Sequence, residues 1–336
     1  MATKDILETL ALGRHLSEEQ ALECFDKLFA GELSPAQAGA LLLGLRAKGE
    51  TPEELGAGVQ SALKQARIVK RIEGASIDTC GTGGDGKQSF NCSTAVALHL
   101  ASMGYKVVKH GNRAVSSSCG SADVIEALGI PFMETPEDAS RVLARTNFVF
   151  LFAPHFHPAF ANIAPIRKEL GIPTLFNLMG PLLNPARPTH QLLGVGNPRA
   201  HDLVARALAK SNIKRAAVVH GGGGFDELTP CGLSRVILVQ GGRCTEMEVD
   251  PEAYGMRKVA PGELSCRDRT DSLDMMRAVL RGRGPEPVLN MLALNLGMSL
   301  HLLEGALSLD ECMQRASNQV FQGIDLSMEA MGCGMS

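Results

Sequence analysis

From about residue 75 onward the sequence alternates short apolar runs with amphipathic stretches, and that alternation admits few folds. Lys106–His110 (KVVKH), Phe148–Phe152 (FVFLF), Ala216–His220 (AAVVH) and Val236–Gln240 read as strands. Helices are expected between them, from about Ser93 to Met103, Ser121 to Leu128 and Pro198 to Ser211. Gly104 and Gly129 fall where left-handed helix caps belong. Strand–loop–helix alternation predicts an α/β fold with a largely parallel sheet. In such sheets ligands lie beyond the carboxyl ends of the strands.

The first seventy residues have a different rhythm. Ser17 is followed three residues later by Gln20, Ser34 by Gln37 and Thr51 by Glu54, each a capping-box pattern in which hydroxyl and amide or carboxylate satisfy orphan N–H groups reciprocally. Pro35 and Pro52 occupy the first helical position, where a missing N–H costs nothing. Leu22, Phe25, Leu28 and Phe29, and then Leu41, Leu42 and Leu45, recur at helical spacing. A small all-helical lobe is expected over residues 1–72, joined by part of 165–190, with the α/β lobe over 73–336. The Gly171–Pro188 segment, with four prolines, reads as a crossing or hinge.

Composition removes several function classes. A formal charge of -3 offers no electrostatic reason to bind nucleic acid or an anionic membrane, so affinity for phosphate must come from local geometry. The longest apolar stretch, around Met291 to Leu303, is interrupted by Asn295, Ser299 and His301 and reads as a buried helix. The N-terminus has no basic-then-apolar leader. Nine cysteines without a C-x-x-C pair point to reduced thiols and a cytoplasmic protein.

Three loops carry the chemistry. Asp78–Gly86 (DTCGTGGDG) places four glycines in six positions, so backbone N–H groups can turn to an anion with no Cβ in the way. Asn91, Ser93 and Thr94 then open a helix whose N-terminus attracts phosphate. The loop lacks the Gly-Lys-Ser/Thr of a Walker motif and fits the dinucleotide fingerprint poorly. By itself it is equally a tight βα turn. The second loop, Lys109-His110-Gly111-Asn112-Arg113 with the hydroxyls that follow to Ser121, suits a pyrophosphate and a sugar better than a core; its bland reading is a polar surface loop. The third, His220 to Glu227, ends four glycines with Phe225, Asp226 and Glu227; adjacent carboxylates after a strand suit a hard cation, although alone they are more often solvated surface.

GTGGD, N-x-S-T, KHGNR and the Asp-Glu pair, in that order, resemble the anthranilate phosphoribosyltransferase family. The similarity extends to Leu33–Glu54, to Ile166–Gly171 and to Phe176–Leu178 running into Gly180–Pro185. The resemblance implies a nucleoside phosphorylase / phosphoribosyltransferase-like architecture, a homodimer formed through helical lobes, and transfer of phosphoribose from 5-phosphoribosyl 1-pyrophosphate to the amine of anthranilate in tryptophan biosynthesis. It implies that Gly81, Gly84, Asp85, Ser89, Asn91, Cys92, Ser93, Thr94, Lys109, His110, Gly111, Asn112, Arg113, Ala114, Val115, Ser116, Ser117 and Ser121 hold the phosphosugar. Gly81, Asn112 and Arg167 are implied for anthranilate. Ser93, Asp226 and Glu227 are implied as Mg2+ ligands, with two ions per site. No covalent nucleophile is expected.

Some residues depart from the family pattern: Ser118 and Cys119 stand where a basic residue and a serine are common, and Phe225 where leucine is. His155 and His157 read as packing or positioning residues in preference to proton carriers. Cys92, at a helix N-terminus, is expected to have a lowered thiol pKa and to be reactive. Closure of the lobes is expected about Gly180–Pro185. The alternatives are a pyrimidine nucleoside phosphorylase, which KHGNR argues against, and a non-catalytic nucleic-acid-binding relative, which predicts a basic surface and decayed loops.

Overall fold

The computed structural model describes residues 2–113 and 119–325. Four helices open the chain: α1 (Thr3–Ala11), α2 (Glu18–Ala30), α3 (Pro35–Lys48) and α4 (Pro52–Lys64). All three expected capping boxes form, Ser17 with Gln20, Ser34 with Gln37 and Thr51 with Glu54. Glu54 does more than cap. Its fully buried carboxylate accepts from the Leu16 N–H at 2.9 Å and pairs with the buried Lys48 ammonium at 2.6 Å, tying three helix ends together. Phe25, Phe29, Leu41, Leu42, Leu45 and Leu55 fill the space between the helices. Each such side chain contributes about 1.5–3 kcal/mol on burial. Leu175, Phe176 and Met179 join this core from far along the chain, so the lobe is completed by a later segment.

Seven strands form one sheet in the order β3-β2-β1-β4-β5-β6-β7. They are β1 (Ser76–Gly81), β2 (Lys106–Gly111), β3 (Phe148–Phe152), β4 (His190–Gly194), β5 (Arg215–His220), β6 (Ser234–Gln240) and β7 (Arg243–Val249). The first five run parallel, while β6 and β7 are added antiparallel at one edge. Helices α5 (Cys92–Ser102) and α6 (Ser121–Ala127) follow the first two loops. Gly104 and Gly129 have φ of 91° and 75°, the left-handed conformation expected of them. The helix Glu286–Glu304 is buried along most of its length and packs against α5. Among the described residues no helix is long and apolar enough to cross a membrane.

Candidate active site

The sheet's two central strands leave in opposite directions: from β1 the chain steps to β2 and β3, whereas β4 lies on the other side and leads to β5. That reversal opens a crevice at the carboxyl ends of β1 and β4, where ligands bind in sheets of this kind. The three loops singled out in the sequence follow β1, β2 and β5 and converge there. Gly81 pairs with Gly194 across the two strand ends. A Cβ on Gly194 would lie 1.4 Å from the Asp226 carbonyl oxygen, and one on Gly81 would lie 2.3 Å from Asp226 Oδ2. Two facing glycines therefore make the slot into which Asp226 fits.

In the first loop Gly83, Gly84 and Gly86 have φ of 62°, 75° and 70°, which bends the backbone back on itself. The Gly83 N–H donates to Asp226 Oδ2 at 2.9 Å, and Thr82 N–H donates to the Gly194 carbonyl at 2.9 Å. The next three N–H groups, of Gly84, Asp85 and Gly86, have no acceptor among the described residues. They form a concave set of donors suited to an anion. Asp85 Oδ1 accepts from the Lys87 N–H at 3.0 Å, and its other oxygen is buried without a partner.

Carboxylates crowd the floor. Burial raises the Asp226 pKa to about 7, helped by the neighbouring Asp85 charge. Burial likewise pushes Glu227 well above the carboxylate range, with Asp226 and Asp85 adding to the effect and the Ser93 N–H partly opposing it. Ser89 Oγ reaches Glu227 Oε2 at 3.5 Å. Among the described residues no three His, Cys, Asp or Glu side chains form a complete metal cage. An all-oxygen set of two or three repelling carboxylates with a hydroxyl nonetheless fits Mg2+, which keeps open positions for waters and phosphate oxygens.

Lys109 comes at the loop from beneath. It is buried, and its Nζ donates to the Thr79 carbonyl at 2.5 Å and to Ser93 Oγ at 3.2 Å. Burial lowers its pKa while the Asp78 carboxylate opposes that. Lys109 thus orients the Ser93 hydroxyl from within the core. Gly111 abuts Ser121, since a Cβ there would lie 2.2 Å from Ser121 Oγ. Asn112 is exposed beside them, its carbonyl accepting from the Ala122 N–H at 3.2 Å. Asn91 Nδ2 donates to the Cys119 carbonyl at 3.1 Å, joining the first loop to the second. Ala114, Val115, Ser116, Ser117 and the divergent Ser118 lie outside the described residues.

Arg167 lies on the helix Ala164–Leu170, half-buried, with its guanidinium 5.3 Å from the centre of the Phe176 ring. It makes no ion pair among the described residues, Glu169 included, so the fork is free for a carboxylate. His110 and His157 stack edge-on at 5.1 Å, and His157 Nε2 lies 2.9 Å from the Leu183 carbonyl. His155 Nδ1 lies 3.0 Å from the Met133 carbonyl.

The thiol reactivity expected of Cys92 needs correction, and two other expected residues have their side chains engaged elsewhere or buried. Cys92 is fully buried against the helix Glu286–Glu304, and burial raises its thiol pKa far above normal, with the Glu227 and Asp226 charges adding to the effect. Desolvation outweighs the helix dipole here, and the side chain cannot touch a ligand. Thr94 is also fully buried, its hydroxyl without a partner among the described residues. The Arg113 guanidinium is turned onto α6, bonded to Asp123 at 3.1 Å and to Glu126 at 2.9 Å twice. Sequence reasoning also missed functional supports. Asp78, fully buried, accepts from Asn184 Nδ2 at 2.8 Å, and Gln191 Nε2 donates to the Pro181 carbonyl at 2.6 Å. A charged residue inside a strand was the available signal for Asp78.

The chain matches the helical bundle domain of the glycosyl transferase family over residues 4–66 and its a/b domain over residues 73–324. It is 53% identical to an anthranilate phosphoribosyltransferase of Oleidesulfovibrio alaskensis, covering 96% of this chain and 98% of that one. It is 55% identical to that of Nitratidesulfovibrio vulgaris, over 94% of this chain and 95% of the relative. The solved anthranilate phosphoribosyltransferase of Thermus thermophilus superposes with a TM-score of 0.89 at 37% identity, over 97% of each chain. The Saccharomyces cerevisiae protein, solved in complex with PRPP and Mg, shares the fold at a TM-score of 0.87 and 23% identity, over 98% of this chain and 96% of that one.

Proposed function

This chain belongs to the anthranilate phosphoribosyltransferases of the glycosyl transferase family, and on that premise we propose that it transfers phosphoribose from 5-phosphoribosyl 1-pyrophosphate (PRPP) to the amine of anthranilate in tryptophan biosynthesis. The observation that carries this reading is the convergence of the glycine loop, the Lys109–Ser93 contact and the Asp226–Glu227 pair at one crevice. The free N–H groups of Gly84, Asp85 and Gly86 hold pyrophosphate oxygens and stabilise the charge that develops as the anomeric bond lengthens. Ser89, Asn91 and Ser121 line the sugar and phosphate path. Ser93, Asp226 and Glu227 hold magnesium, two ions per site; when bound, Mg2+ neutralises charge on the leaving group. Arg167 receives the anthranilate carboxylate in a two-pronged hydrogen bond, with Gly81 and Asn112 at the mouth. The amine then faces the anomeric carbon, and positioning supplies much of the rate. No protein nucleophile is needed.

The helical lobe, 1–72 joined by part of 165–190, presents Ala36, Ala40, Leu43 and Ala47 outward on α3 at alternating spacings of four and three. Such an exposed apolar stripe supports a homodimer through this lobe. Leu43→Glu should convert the dimer to a monomer in sedimentation, and an unchanged mass would place the interface elsewhere. The thiol pattern supports a cytoplasmic location.

The direct test is loss of anthranilate fluorescence on mixing with PRPP and Mg2+, which should proceed with release of pyrophosphate. Inactivity there, with phosphorolysis of a pyrimidine nucleoside instead, would overturn the reading in favour of a phosphorylase.

A further inference from the structure

Lys87 follows the glycine loop by one residue and is half-buried, with its ammonium 5.6 Å from the centre of the Phe225 ring. Phe225 directly precedes Asp226, so Lys87 stands at the rim of the carboxylate floor. Its Cε and Nζ lie 3.7 and 3.8 Å from where a Cβ on Gly224 would be. Lys258 Cε and Nζ lie 3.4 and 3.6 Å from the Cβ position of Gly232, on the segment that leads into β6. Gly222 packs directly on the Gly232 backbone, so these two lysines flank one glycine-built ridge. Cys231 sits in that ridge: burial raises its pKa, Thr229 opposes, Glu263 adds to the rise, and both Lys87 and Lys258 pull it down. Glu263 itself is committed to Arg257 at 2.6 Å and to the Ala260 N–H at 3.0 Å. Neither lysine ammonium has a hydrogen bond or carboxylate partner among the described residues.

We propose that Lys87 and Lys258 form an outer binding site for the pyrophosphate group, at the rim of the site formed by the glycine loop and the Asp226–Glu227 pair. The inference rests on the phosphoribosyl transfer reading and extends it to residues outside the implied set. Its physical ground is charge balance. The pyrophosphate group is a polyanion, and a net charge of -3 supplies no overall field that draws it to the crevice. Two cations at the mouth attract the pyrophosphate group before it reaches the inner N–H donors, and hold it again as it leaves. The ring of Phe225 keeps Lys87 at this rim, as a cation resting on an aromatic face.

The experiment is titration of inorganic pyrophosphate with Mg2+ into the full-length protein by calorimetry. Lys87→Met with Lys258→Met should weaken binding by at least about tenfold, the loss expected for charge-assisted contacts. The exposed Lys258→Met alone cannot compromise folding and should lose about threefold. Pyrophosphate affinity within twofold of wild type in both proteins overturns the proposal. In parallel kinetics the KM for anthranilate should stay unchanged. A rise in the KM for PRPP matching the loss of pyrophosphate affinity assigns the contact to the substrate. An unchanged KM for PRPP assigns it to the released product. Both results support the outer site. If the wild-type protein binds pyrophosphate but does not consume anthranilate, the transfer reading has failed and the lysine site has not.

Discussion

At the scale of single residues, environment decides what a side chain can do. Asp226 and Glu227 occupy a setting that burial and mutual repulsion make hostile to two bare carboxylates, which is the setting a divalent cation relieves. Asp226→Asn with Glu227→Gln should lower turnover by about a hundredfold or more, the scale of losing transition-state charge stabilisation. The circular dichroism spectrum should not change, and chelation of the wild-type protein should give a comparable loss that Mg2+ reverses. Full activity in the double variant would remove both residues from the site. Arg167 has its guanidinium free and half-buried on Phe176. Arg167→Ala should raise the KM for anthranilate by about ten- to hundredfold, as loss of a charge-assisted bond of about 1.5–3 kcal/mol requires. The KM for PRPP should hardly move; if both rise together, the residue is structural.

At the scale of elements, the site depends on how closely strand ends approach. Gly81 and Gly194 face each other at the carboxyl ends of β1 and β4 and leave room only for Asp226. Gly81→Ala introduces a Cβ where Asp226 Oδ2 now accepts from Gly83, so the carboxylate must move. The expected outcome is a large loss of activity in an enzyme whose melting temperature falls by only a few degrees. Retained Mg2+-dependent turnover would show that the floor tolerates displacement of Asp226. The segment from Gly180 to Pro185 shows the opposite character. Asn184 bonds to Asp78 and to the Val108 carbonyl, Gln191 to Pro181, and His157 to Leu183, all in buried surroundings. Bending there breaks several buried hydrogen bonds at once, each costing about 1–3 kcal/mol. These bonds fasten the segment to the α/β lobe.

For the whole molecule, buried histidines set how stability responds to pH. Burial pushes His99 to about 4 and His157 to about 4, and burial with the nearby His157 pushes His110 to about 3. Their unfolded value is about 6.5, so between that pH and the folded values the unfolded chain binds more protons. The stability these groups contribute is present above about pH 6.5 and is lost as pH falls toward 4. Asp78, raised to about 6 mainly by burial, works in the reverse direction, and so do Asp226 and Glu227, raised by burial and by neighbouring carboxylates. The histidine contribution by itself lowers thermal midpoints from pH 7 to pH 4.5. Replacing His99, which has no partner for either ring nitrogen among the described residues, with Leu should flatten that slope. An unchanged slope in the variant would assign acid sensitivity to other groups.

Local chemistry was enough to read the capped helices α2 to α4, four of the seven strands, and the three loops with their carboxylates and glycines. Each depends on neighbours in the chain, through caps, period and turn residues. Three strands escaped that reading. β1 and β4 mix polar with apolar residues, Asp78 and Thr79 in one and His190 and Gln191 in the other, because they lie at the centre of the sheet and support the crossing segment and the site. β7 is an exposed edge strand with almost no buried face. Only tertiary packing could assign Cys92 to the core, turn Arg113 onto α6, and place Lys109 behind Ser93. Those outcomes depend on desolvation and on partners far away in sequence. For the same reason Gly194, unremarkable in the chain, became part of the site once β4 was laid beside β1.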